Sequence, residues 1–168
     1  MSQISAGEIF AQKYKLEERL GEGKFKETWR ATDLIMNREV ALKIFKEQNT
    51  SIDQIIHEAT LQTKLGKHEN IAEIYDAAID AETSKAYINE EYIKGHTLTK
   101  ELELQGKVTN KNLLRIAQQI INGLIYAHKR GVIHRDLKTD NIFLQTNENK
   151  EPKIVLTDWG GSAESGTS

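Results

Sequence analysis

The segment His134-Arg135-Asp136-Leu137-Lys138-Thr139-Asp140-Asn141 gathers three complementary chemistries into a few residues: a carboxylate at Asp136, an ammonium at Lys138 and a carboxamide at Asn141. A carboxylate accepts the proton of an attacking hydroxyl, an ammonium neutralises a transferring phosphoryl group, and a carboxamide oxygen is a ligand for a hard cation. Asp158, in Asp158-Trp159-Gly160, follows the apolar run Ile154-Val155-Leu156 and offers a further hard oxygen at a strand end. Nearer the N-terminus, Gly21-Glu22-Gly23-Lys24-Phe25-Lys26 lies between two strand-like runs. Backbone amides of such a turn can approach phosphate oxygens that side chains would block. Lys43 stands mid-strand between Leu42 and Ile44, with Glu58 on a following amphipathic segment as the natural acid to hold it.

Each feature also has a plain reading. The catalytic-looking loop can be a polar surface turn, Gly-x-Gly is most often just a hairpin, Asp with Gly ends many strands, and Lys43 and Glu58 can both be solvated. The glycine turn is not a dinucleotide-binding fingerprint, because no helix follows it and Lys26 occupies the place of a third glycine.

The elements that must carry these residues follow from periodicity. Tyr14–Leu20 and Phe25–Ala31 read as a hairpin, and Arg38–Phe45 as a third strand. Ile52, Ile55, Ile56, Ala59, Leu61 and Leu65 recur mostly at helical spacing, with Ser51 as N-cap, Gln54 as its capping-box partner and Gly66 as the stop. Ala72–Ile79 and Lys85–Ile93 read as two more strands. A short polar helix is expected over Leu98–Gln105 and a long one over Asn110–Lys129. The long helix is apolar around much of its circumference and calls for burial on more than one side. Short strands at Ile142–Leu144 and Lys153–Leu156 flank a polar hairpin. The fold class is therefore α+β: five strands with one inserted helix, then mainly helix with a small hairpin.

The chain has 168 residues, 38% hydrophobic and 29% charged, with a net charge of −2 and no cysteine. That suits one soluble domain with a real core. It gives no general pull toward nucleic acid or an anionic membrane, and it excludes disulfides, thiolate catalysis and cysteine–zinc sites. No signal-like or membrane-spanning run is present, so a cytoplasmic location is expected.

Taken in order, the glycine turn, Val40-Ala41-Leu42-Lys43, Glu58, His68-Glu69-Asn70-Ile71, Tyr87–Ile93, the His134–Asn141 loop and Asp158-Trp159-Gly160 resemble the protein kinases, over about Tyr14 to Gly160. The resemblance implies a small lobe over 14–93 ending in a hinge, after an N-terminal extension over 1–13, and a partial large lobe over 94–168. It implies ATP and Mg2+ as cofactors. Gly21, Glu22, Gly23, Lys24, Phe25 and Lys26 would cover the phosphates. Lys43, paired with Glu58, would bind the α- and β-phosphates. Glu91 and Ile93 would bond adenine through their backbone, with Thr28, Ala41, Glu90 and Phe143 among the nucleotide-binding residues. Asp136 would be the catalytic base, Lys138 would neutralise the γ-phosphoryl, and Asn141 and Asp158 would hold magnesium. Lysine at 138 resembles the serine/threonine type, with a protein hydroxyl as acceptor. A non-catalytic, pseudokinase-like module and a small-molecule kinase of the same fold are the alternative readings.

The sequence departs from the family pattern at several positions. Thr28 replaces a valine, Glu69 and Thr139 replace prolines, and Trp159 replaces a phenylalanine. Glu90 stands at the gatekeeper position, and Gln62 where the helix usually carries leucine. These two were expected to interact, or Lys43 to be drawn toward Glu90. The sequence also stops short of the family's remaining large lobe. The 168-residue chain alone was therefore expected to have little activity and to associate with itself through its exposed large-lobe core.

Overall fold

The computed structural model describes residues 4–46, 57, 60, 64–108, 110–146, 151–159 and 163–164. The chain divides into two compact units: Met1–Ala59 with Ile74–Tyr92, and Thr60–Glu73 with Ile93–Ser168. Thr60–Glu73 groups with the second unit.

The first unit is built on an antiparallel sheet of β1 (Ile9–Phe10), β2 (Tyr14–Glu22), β3 (Lys26–Asp33), β4 (Arg38–Phe45), β5 (Ile74–Ile79) and β6 (Ala86–Glu91), in the order β1-β2-β3-β4-β6-β5. Five of these strands were expected, and β1 was not. It lies in the stretch read as a plain N-terminal extension, yet Phe10 is buried and meets Tyr87 edge-on, with ring centroids 5.5 Å apart. In β3 burial alternates along the strand: Glu27, Trp29, Ala31 and Asp33 point inward, as a period of two requires. Trp29 and Ala31 join Tyr14, Leu16, Val40, Leu42, Ile44 and Tyr87 in one core. Asp33 closes the turn into β4 by accepting the backbone N–H of Ile35 and Met36, each at 3.0 Å.

Of the helix expected over Ser51–Leu65, His57, Thr60, Lys64 and Leu65 are helical. Ser51, Gln54, Glu58 and Gln62 lie outside the described residues. Gly66 takes φ 61, the left-handed conformation in which a helix ends.

The second unit contains β7 (His96–Thr97), α1 (Leu98–Gln105), α2 (Asn110–Lys129), β8 (Val132–Ile133), a 3-10 turn at Thr139–Asn141, β9 (Ile142–Thr146), β10 (Pro152–Leu156) and β11 (Ala163–Glu164). Both helices occupy their expected ranges. Thr97 caps α1 by accepting the Lys100 N–H at 3.2 Å, and Gly106, at φ 70, ends it by donating its N–H to the Leu102 carbonyl at 2.8 Å. The small sheets β10-β9-β7 and β11-β8 were only partly expected, since β7, β8 and β11 are two residues each and leave no periodic signature. Gly95 is required beside β9: a Cβ there would lie 2.2 Å from the Leu144 carbonyl oxygen.

Helix α2 packs one face on β10. Ile116 and Ala127 join the core of Ile71, Leu98, Val132, Ile142, Leu144, Ile154, Leu156 and Trp159. Asn70, from the His68–Ile71 motif, ties this layer together. Its side-chain amide donates to the Ile154 carbonyl at 2.9 Å and to Gln119 Oε1 on α2 at 3.2 Å. Gln119 in turn accepts the Ile154 N–H and donates to the Pro152 carbonyl. The other face of α2 leaves Leu113, Leu114, Ile121 and Ile125 exposed.

Candidate functional site

The glycine turn lies at the end of β2. Gly23 donates its N–H to the Lys26 carbonyl at 2.8 Å, and Lys46 donates its backbone N–H to the Phe25 carbonyl at 2.9 Å. Phe25 is exposed at the tip. Glu22 is held by ion pairs to Lys46 and Arg19, and Lys46 keeps its carboxyl below the usual carboxylate range. Thr28 lies opposite Gly21 on one side and Lys43 on the other, so the sheet register delivers the turn and the lysine to neighbouring strands.

Lys43 is buried on β4. Its Nζ lies 2.8 Å from each oxygen of Glu90 on β6, and the two side chains are 7% and 5% exposed. Ala41 pairs with Glu90 and Lys43 with Ile88, which places Lys43 and Glu90 as diagonal neighbours on one face of the sheet. The expected approach of Lys43 to Glu90 is present. Gln62 and Glu58, the other residues invoked there, lie outside the described residues. Glu91 ends β6 opposite Val40.

In the second unit the 3-10 turn gathers the catalytic-loop residues. Lys138 Nζ donates to Asp136 Oδ2 at 2.8 Å, and Asn141 Nδ2 donates to the same oxygen at 3.1 Å and to the Asp136 carbonyl at 2.9 Å. Lys138 holds the Asp136 carboxyl below its usual range, and Asp136 raises the Lys138 ammonium in return. Asp136 is thus ionised and half-exposed, the state a proton acceptor needs. Its partner Asn141 is buried, with its amide nitrogen turned to Asp136, which leaves Oδ1 as the atom able to serve a cation. Asp158 adopts φ 61 two residues after β10, a backbone conformation that asparagine and aspartate tolerate better than most. A carboxylate and a carboxamide oxygen are the hard donors that magnesium takes, and magnesium commonly uses only one or two protein ligands beside phosphates and water. The residue types at Asn141 and Asp158 therefore fit it. Phe143 and Ile93, both expected at the nucleotide, pack together with Ala72 and Val155 in this unit.

Sequence reasoning missed what supports this loop. His134 is buried and packs against Trp159, the rings tilted by 49° with centroids 4.5 Å apart. Its Nδ1 accepts the Asp136 N–H at 3.3 Å, so its Nε2 carries the proton and donates to the Thr157 carbonyl at 3.0 Å. Thr157 also donates its backbone N–H to the Asn141 carbonyl at 3.0 Å. Thr139, in the place of a proline, accepts a hydrogen bond from Thr99 on α1 at 2.8 Å. One signal was available: His134 and Trp159 are bulky groups directly beside the reactive residues.

Burial pushes the His134 pKa down. An unfolded histidine titrates near pH 6.5, and the folded one titrates lower. Between those two values protons bind the unfolded chain preferentially. Stability is therefore full above about pH 6.5 and falls as pH drops through the folded value. A series of melts from neutral to about pH 5 should show a decline in midpoint that is shallower in His134→Gln. An equal slope in both proteins would exclude His134 as the titrating group.

The family model described as protein kinase domain matches residues 14–168. A probable serine/threonine-protein kinase of Clostridium acetobutylicum is 33% identical over 92% of this chain and 23% of its own length. CBL-interacting protein kinase 15 of Oryza sativa subsp. japonica is 34% identical over 95% of this chain and 36% of its own. CBL-interacting serine/threonine-protein kinase 20 of Arabidopsis thaliana is 33% identical over 94% and 35%. The chain thus spans roughly a quarter to a third of the length of these relatives.

Proposed function

The chain belongs to the protein kinase family, and from that premise we propose that the protein transfers the γ-phosphoryl group of ATP to serine and threonine hydroxyls of other proteins. The observation that carries this reading is the Asp136 cluster, where an ionised carboxylate, an ammonium and a carboxamide converge within hydrogen-bond distance. Asp136 accepts the proton of the attacking hydroxyl, and Lys138 balances charge on the phosphoryl oxygens. Asn141 and Asp158 would hold magnesium. Lys43 would bind the α- and β-phosphates and Gly21–Lys26 would cover them, Glu91 and Ile93 would bond adenine through their backbone, and Thr28, Ala41, Glu90 and Phe143 are the other proposed nucleotide-binding residues. When bound, ATP and magnesium supply the phosphoryl donor and the counter-charge for it.

Among the described residues no helix is long and apolar enough to cross a membrane, and the cytoplasm is the proposed location. The exposed Leu113, Leu114, Ile121 and Ile125 face of α2 is the proposed contact through which the 168-residue chain associates with its own copies.

Nucleotide titration with and without magnesium tests the site. Wild-type protein should bind ATP more tightly with magnesium present, and Asp158→Asn should lose most of that difference, because a carboxamide brings the metal no negative charge. The same magnesium dependence in both proteins would remove Asp158 from the site.

A further inference from the structure

We propose that Glu90 is a brake on nucleotide binding, its carboxylate competing with the phosphates of ATP for Lys43. The inference rests on the reading of Lys43 as a phosphate-binding residue and adds to it a second acid that no kinase motif supplies.

The β4–β6 register brings the two side chains together, and both glutamate oxygens lie 2.8 Å from the ammonium. Neither side chain has appreciable access to water that would screen the pair. Two effects follow, and they share a sign. The ammonium directs hydrogens to Glu90 that a phosphate oxygen would otherwise receive. Glu90 also places a full negative charge beside the cation that must attract a polyanion. A phosphate group must displace the carboxylate or bind an ammonium already neutralised by it. Removing one unit charge from such a position changes affinity by about one to two orders of magnitude at an effective dielectric near 20. Glu90 is a positioning residue in this account, acting through Lys43.

The test is calorimetric titration of MgATP and of adenosine into wild-type protein, Glu90→Gln, Lys43→Met and the double variant. Glu90→Gln should bind MgATP about tenfold tighter. Its affinity for adenosine, which has no phosphates, should change far less than its affinity for MgATP, and the gain should vanish in the Lys43→Met background. A purely structural role for Glu90 would not separate ATP from adenosine. Glu90→Asp guards against poor folding of the glutamine variant. It keeps the charge but draws it back by one methylene, and should give a smaller gain of about two- to threefold. MgATP affinity unchanged or lowered in both variants would overturn the brake while leaving the ATP site in place. The same gain for adenosine, or in the Lys43→Met background, would also overturn it. Failure of every form, wild type included, to bind MgATP would overturn the nucleotide reading of Lys43 and the brake together.

Discussion

Asp136→Asn should lower phosphoryl transfer by about 10²- to 10⁴-fold while leaving ATP affinity close to normal. Asparagine keeps the volume of the side chain and one oxygen able to accept from Lys138 and Asn141. It cannot take a proton from an attacking hydroxyl. The loss should therefore fall on turnover and not on binding. Lys138 already holds the carboxyl below its usual range, so the wild-type acid limb should lie below the usual carboxylate range, with full activity retained above it. Initial rates with a protein substrate, beside a nucleotide titration, measure both. Turnover near the wild-type value would remove Asp136 from the mechanism.

Lys43→Met should fail in two separable ways. It removes the cation that contacts the phosphates, which abolishes transfer. It also leaves the Glu90 carboxylate buried without the ammonium 2.8 Å away, a change that costs about 3–5 kcal/mol when one partner of a buried pair is deleted. A domain's stability is about 5–15 kcal/mol, so the melt should shift markedly. Adding Glu90→Met removes the stranded charge and should recover most of the stability but none of the transfer. Losses that simply add in the double variant would show that the two side chains are not coupled.

These expectations also mark how far the sequence carried. The catalytic loop was legible because its residues are neighbours in the chain: Asp136, Lys138 and Asn141 need only one 3-10 turn to meet. Helix α2 was legible from its long apolar periodicity, and α1 as a short polar helix between the strand-like runs and α2. The Lys43–Glu90 pair was open to two readings, because its partners are 47 residues apart. A one-residue slip between β4 and β6 would turn Glu90 to the other face. Strands of two residues, such as Ile9–Phe10, are set by their neighbours and carry no pattern of their own. The Asn70–Gln119–Ile154 network was hidden for the same reason as the ion pair. It joins three distant segments through polar side chains, while apolar spacing reports only which face of a helix is buried.

The central claim, phosphoryl transfer to protein hydroxyls from the Asp136 cluster, is tested most directly by following label from γ-labelled ATP with the full-length protein. Magnesium-dependent incorporation into a generic protein substrate, recovered on serine and threonine and lost in Asp136→Asn, is the result expected. Nucleotide binding without transfer, label on a small-molecule hydroxyl in place of protein, or incorporation that survives Asp136→Asn would contradict it.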